Sequence, residues 1–93
     1  MTPTLAETVT IVDSAFQPAE LTVPVGTTIT WVHDGRLTHT VTADDASFNS
    51  GNLGNGDTFS FTFSEAGSYP YYCRFHGSAG GVGMAGTITV TGE

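Results

Sequence analysis

The chain predicts an all-β domain, a sandwich or barrel of seven to eight short strands. Three observations carry that prediction. Apolar and polar residues alternate at a period of two along most of the chain. Nothing in it has the apolar spacing of a helix. Turn signals rich in Gly, Asn, Asp and Pro recur roughly every ten residues, the spacing of a sandwich or barrel.

The elements follow in order. Val9 and Ile11 alternate within Thr8-Val9-Thr10-Ile11-Val12. Leu21 and Val23 do so before Pro24-Val25-Gly26, and Ile29 and Trp31 after it. Asp34-Gly35 marks the next turn, and Thr38-His39-Thr40-Val41-Thr42 reads as a short strand rich in β-branched residues. Residues 43–56 are polar and glycine-rich and form the longest irregular excursion, ending in the turn Asn52-Leu53-Gly54-Asn55-Gly56. Phe59, Phe61 and Phe63 occupy one face of the following strand, with Thr58, Ser60 and Thr62 on the other. After Glu65-Ala66-Gly67, the stretches Ser68 to Cys73 and Gly86 to Thr91 complete an antiparallel set. There is no internal repeat and no linker. Residues 1–93 therefore form one domain, with residues 1–6 expected as a flexible N-terminal tail.

Composition narrows the function. Nine acidic residues stand against two basic ones, Arg36 and Arg74, for a net charge of −7. Such a chain lacks the Lys and Arg that nucleic acids and anionic membrane surfaces require. It suits a partner with a positively charged docking patch. No stretch reaches the roughly 20 apolar residues needed to cross a bilayer, so no membrane insertion is expected. No basic-then-apolar signal sequence opens the chain either, and Met1-Thr2-Pro3 is expected to stand where a signal or anchor was removed. A single cysteine rules out an internal disulfide and any two-cysteine metal centre within one chain.

That cysteine, Cys73, lies in Tyr71-Tyr72-Cys73-Arg74-Phe75-His76, with Met84 eight residues beyond His76. His39 supplies a second imidazole upstream. A lone cysteine in a β-sandwich also reads as a small buried hydrophobe, and an isolated methionine as core packing. A strand end, however, lets a loop fold the residue at i+3 back toward the thiol, so Cys73 and His76 can share one ion. Two His, one Cys and a weak axial Met form the ligand set of a blue-copper electron-transfer centre. Along the strand, Tyr71 and Cys73 point inward and Tyr72 outward. His33, beside Asp34-Gly35, reads as a turn residue outside the site.

These blocks resemble the cupredoxins, in particular the small plastocyanin and pseudoazurin type. The resemblance runs through Phe16-Gln17-Pro18, Gly26-Thr27-Thr28-Ile29-Thr30-Trp31, Thr38-His39-Thr40-Val41, Gly67-Ser68-Tyr69-Pro70-Tyr71-Tyr72-Cys73 and Gly83-Met84-Ala85-Gly86. It implies a Greek-key sandwich holding one Cu(I)/Cu(II) ion, with His39, Cys73 and His76 as equatorial ligands and Met84 as the axial one. It further implies an electron carrier rather than an enzyme, exchanging electrons with redox protein partners such as a cytochrome or an oxidoreductase. A monomer in the periplasm or another extracytoplasmic compartment is expected. The resemblance departs at three places. Seven residues separate His76 from Met84 where plastocyanin-type members have a shorter loop. Thr40 follows the first histidine in place of a frequent Asn. Arg74 follows the cysteine in place of a small hydroxyl residue, and its charge is expected to favour Cu(I).

Small neighbours around His76 are expected to let a partner approach its ring, although the same glycines also serve turns. Tyr72, next to Cys73, offers a second exit for the electron. Asp44 and Asp45 resemble an acidic recognition patch, but as an Asp pair in a loop they read first as solvated. Two other readings remain open on the residues alone: a Cu(I) carrier or store of the same fold, and a metal-free immunoglobulin-like module. The second normally carries an inter-sheet cysteine pair, which this chain lacks. A zinc site with a thioether ligand fits poorly.

Overall fold

The computed structural model describes residues 6–92, and eight strands account for most of them. They are β1 (Ala6–Val12), β2 (Ala15–Gln17), β3 (Glu20–Pro24), β4 (Thr27–His33), β5 (Thr42–Ala43), β6 (Thr58–Phe63), β7 (Gly67–Ser78) and β8 (Val82–Thr91). One sheet has the order β2-β1-β4-β6, the other β3-β8-β7-β5. The expected tail falls outside the described residues except for Ala6, which already pairs with Thr28. No helix among the described residues is long and apolar enough to cross a membrane.

The sandwich is mixed rather than purely antiparallel. β1 runs parallel to β4, and β3 runs parallel to β8. The cause lies in the connections: after the β1–β2 hairpin the chain crosses to the second sheet as β3, then returns as β4 beside β1. Strands joined through the opposite sheet arrive pointing the same way, which direct hairpins cannot do. The three-residue β2 was also missed as a separate strand, because one buried residue, Phe16, shows no alternation.

The expected strand over residues 38–42 shrinks to an isolated bridge, His39 with Leu53, and the two-residue β5. This segment spends its backbone bonds on the irregular excursion instead of a sheet. His39 N–H donates to the Leu53 carbonyl at 3.0 Å, and Leu53 N–H donates back at 2.7 Å. Ser50 N–H and Ala43 N–H make similar bonds, to Val41 O and Phe48 O, at 2.9 Å each. The excursion thus serves as a cover that fastens the His39 segment along its length.

The core forms where the inward faces meet. Trp31, fully buried on β4, packs against Phe48, Phe59 and Phe63 and makes an edge-on contact with Tyr71 at 5.4 Å between ring centroids. The phenylalanine alternation on β6 holds: Phe59, Phe61 and Phe63 turn to the core. Ser60 and Thr62 on the outer face pair across the strands with Thr30 and Thr28 at 2.9 and 2.7 Å. Phe48 and Leu53 come from the polar excursion, yet both are buried. Phe48 touches Trp31, Phe59, Phe61, Phe63 and Tyr71 and so joins the excursion to both sheets. Phe48→Ala should therefore cost about 3–5 kcal/mol of stability in a urea titration. A loss under about 1 kcal/mol would mean that the excursion does not depend on this ring.

Candidate metal centre

The long hairpin of β7 and β8 creates the site by losing register at one point. Pairing is regular from Gly67↔Val90 to Tyr72↔Ala85 and resumes at Gly77↔Gly83. Between those pairs the four residues Cys73-Arg74-Phe75-His76 face the single residue Met84. Four residues against one must bow outward, a large β-bulge of the kind that re-aims side chains. The bow folds His76 back over Cys73, and their Sγ and Nδ1 atoms lie 3.5 Å apart.

Side-chain parity places the rest. Tyr71 and Cys73 are inward and fully buried, while Tyr72 lies on the other face and is half-buried. Met84 shares the inner face of β8 with Gly86, Ile88 and Val90, so it points inward at the same end as Cys73 and is buried. The seven-residue spacing from His76 to Met84 does not loosen this placement. The additional residues lengthen the hairpin: Ser78 pairs with Val82, and Gly80 and Gly81, with φ of 92° and 79°, make the turn. The hairpin closes tightly at Gly77, where a Cβ would come within 2.6 Å of the Met84 carbonyl and 2.8 Å of its nitrogen. Asp44 ties the turn down by accepting a bond from Gly80 N–H at 2.9 Å. Asp45 accepts from Ser47 N–H at 2.9 Å, so the acidic pair takes part in local structure.

His39 reaches the same point from the segment after β4. Its Nδ1 lies 3.5 Å from Cys73 Sγ, and its ring centroid 4.8 Å from that of His76. The ligating atoms of His39, Cys73 and His76 all lie within 4.8 Å of one another. An ion about 2.0 Å from nitrogen and about 2.3 Å from sulfur holds such a pair roughly 3.5–3.7 Å apart. Both sulfur–nitrogen distances therefore fit a shared ion. His39 and Cys73 are fully buried; His76 is exposed.

Three groups around the site were not identified from the sequence as its supports. Asp13, just after β1, accepts a bond from His39 Nε2 at 3.2 Å through Oδ1, which also accepts from Arg36 and Leu37 N–H at 2.7 and 2.9 Å. Those backbone bonds pull the Asp13 carboxyl down to about 2, so it is ionised at neutral pH. Burial pushes the His39 imidazole below its ordinary value, with the Asp13 bond opposing. Nothing near Asp13 in sequence suggested this contact, because 26 residues separate it from His39.

His33 is buried rather than an exposed turn residue. Its Nε2 donates to the Leu37 carbonyl at 2.6 Å, its Nδ1 accepts from Gly35 N–H at 3.1 Å, and its ring lies against His39 at 4.9 Å. With both nitrogens engaged it buttresses His39 and has no lone pair left for a metal. Thr40 is the third group. Its Oγ1 accepts from Arg74 N–H at 2.9 Å, a bond that ties the residue after His39 to the residue after Cys73. The Thr40 hydroxyl then points to Thr42 Oγ1 at 3.0 Å, in a buried pair. Arg74 itself is exposed, so water screens its charge, and its backbone N–H fastens the bulge.

Comparison with known proteins agrees with this geometry. Residues 4–91 match the family described as copper binding proteins, plastocyanin/azurin family. A plastocyanin of Scenedesmus fuscus is 34% identical over 86 residues, covering 81% of this chain and 85% of that protein. Among solved structures, a purple cupredoxin from Nitrosopumilus maritimus superposes with a TM-score of 0.77 at 32% identity, over 90% of this chain and 98% of that one. A copper-containing nitrite reductase from Thermus scotoductus SA-01 superposes with a TM-score of 0.83 at 29% identity, over the whole of this chain but 24% of that one. Fold and donor set define a cupredoxin, a β-sandwich that binds one copper ion. The chain belongs to the copper-binding plastocyanin/azurin family, as a type 1 copper electron-transfer protein.

Thr40→Val keeps the shape of the side chain and removes the acceptor for Arg74 N–H. It should cost about 1–3 kcal/mol and speed exchange of the Arg74 amide. An amide still protected in the variant would show that another group holds the bulge.

Proposed function

We propose that His39 Nδ1, Cys73 Sγ and His76 Nδ1 hold the copper ion, with the Met84 thioether as the axial donor, and that electrons enter and leave through the exposed ring of His76. The observation that carries this reading is the convergence of the three donors on the bulge and its neighbouring segment, with Cys73 Sγ 3.5 Å from each Nδ1. Bound copper supplies a one-electron Cu(I)/Cu(II) couple, and this mixed sulfur and nitrogen set suits both states. The chain contributes rigidity: the donors are fixed by bonds to Asp13, Thr40 and Leu53, so a change of charge meets ligands that are already in place.

The same bracing favours electron transfer over a Cu(I) carrier, whose ligand loop has to open to hand over its metal. Met84, buried on the inner face of β8 at the same end, would take the ion's remaining position, which supports a carrier rather than an enzyme.

His76 turns Nδ1 toward Cys73, which leaves the other edge of its ring at the surface. Among the described residues, Leu37, Phe75 and Val82 are the exposed large hydrophobic ones, about half exposed or more, and all belong to segments that bear the site. We assign this face to a redox protein partner. The net charge of −7 steers a partner with a basic surface, while the apolar rim makes the close contact. The chain works as a monomer outside the cytoplasm, where a copper thiolate is kept from cytosolic thiols.

One equivalent of Cu(II) should give an intense thiolate-to-copper visible band that dithionite bleaches and air restores. Cys73→Ser should abolish it, whereas Met84→Leu should keep it with a changed reduction potential. A band that survives Cys73→Ser would sink the assignment.

A further inference from the structure

His39 carries a support that differs in kind from those of the other donors, an anion on the far edge of its ring. We propose that Asp13 is a positioning residue that fixes His39 for copper and biases the site toward its oxidised form. The inference rests on the copper-site reading above.

Asp13 Oδ1 already accepts from the N–H groups of Arg36 and Leu37, so at this oxygen the side chain is an acceptor. The 3.2 Å contact with Asp13 Oδ1 therefore puts the ring proton of His39 on Nε2 and leaves the Nδ1 lone pair aimed at the space beside Cys73 Sγ. That is the tautomer a metal bound at Nδ1 requires. A carboxylate accepting the remaining ring N–H also makes the imidazole a stronger donor, and such partners of metal-ligating histidines affect metal affinity about 10–100-fold. Both the stronger donor and the nearby negative charge favour the more highly charged copper ion.

Asp13 is built into its place. Two backbone amides from the loop after β4 bind the same oxygen that faces His39. Gly35 lies so close that a Cβ there would come within 2.3 Å of Oδ1, so the carboxylate fits only because residue 35 has no side chain. Asn55 anchors that loop from the other side by donating to the Gly35 carbonyl at 2.8 Å. The Asp13 side chain is 40% exposed, so water screens part of its charge and keeps the effect modest.

The test begins without metal. Nitrogen shifts of the His39 ring in the metal-free protein at neutral pH should report a single Nε2–H tautomer, and a mixture in Asp13→Ala. In the copper-loaded protein, Asp13→Asn keeps an acceptor for Arg36 and Leu37 while removing the charge. Voltammetry at fixed pH and ionic strength should show the Cu(II)-to-Cu(I) affinity ratio fall roughly tenfold, a rise of about 59 mV for one electron. Gly35→Ala, which displaces the carboxylate without altering it, should shift the potential the same way. An Nδ1–H tautomer in the unsubstituted protein, or an unchanged potential in both variants, overturns the proposal. Failure of the unsubstituted protein to form a copper–thiolate band would instead overturn the metal-site reading, and the tautomer measurement separates the two.

Discussion

The centre depends on a single mismatch in an otherwise regular hairpin, four residues of β7 facing one residue of β8. A hairpin in continuous register would send Cys73 inward and His76 outward, because side chains of a strand alternate. The bulge removes that alternation and lets two residues three positions apart face the same point. It also leaves Met84 as the residue opposite, buried on the inner face of β8. The close contact at Gly77 and the turn at Gly80 and Gly81 end the bow on one side, and the Tyr72↔Ala85 pair ends it on the other. Bound this way, the ligand loop is a strand defect with fixed ends rather than a free loop.

The third donor has to come from elsewhere, and the mixed topology brings it. His39 follows β4, a strand of the opposite sheet, in a segment that crosses to β5 beside β7. The crossing lacks a sheet partner for much of its length, and the excursion of residues 43–56 supplies one. Three attachments then hold the donors against each other: Leu53 on the His39 backbone, Asp13 on its ring, and Thr40 on the backbone next to Cys73. The excursion is held in turn by Phe48 in the core. Site rigidity and fold stability thus share a set of contacts, as expected in a small domain with few to spare.

Most of the fold was legible because β-alternation is a local pattern. The Phe59-Phe61-Phe63 row, the inward Tyr71 and Cys73 and the turn positions could all be read from neighbours in the chain. Long-range effects were not legible. Parallel pairing of β1 with β4 depends on where the chain crosses between sheets, which no short window contains. Residues 38–42 have the composition of a strand and became a bridged edge, because their partner turned out to be a loop. Phe48 and Leu53 lay in a polar setting that masked their burial. At the site, the proposed donors were chosen from softness and count. The groups that orient them could not be chosen that way: Asp13 meets His39 across 26 residues, and His33 looked like a turn because only its neighbours were visible.

Preorganisation is the central claim, and crystal structures of the metal-free and Cu(II)-loaded protein address it most directly. In a preorganised site Cys73 Sγ stays near 3.5 Å from each Nδ1 in both structures, with shifts under about 0.5 Å and copper bound among them. A metal-free protein whose residues 73–76 run on in regular register with β8, or a copper ion bound away from Cys73, would contradict it.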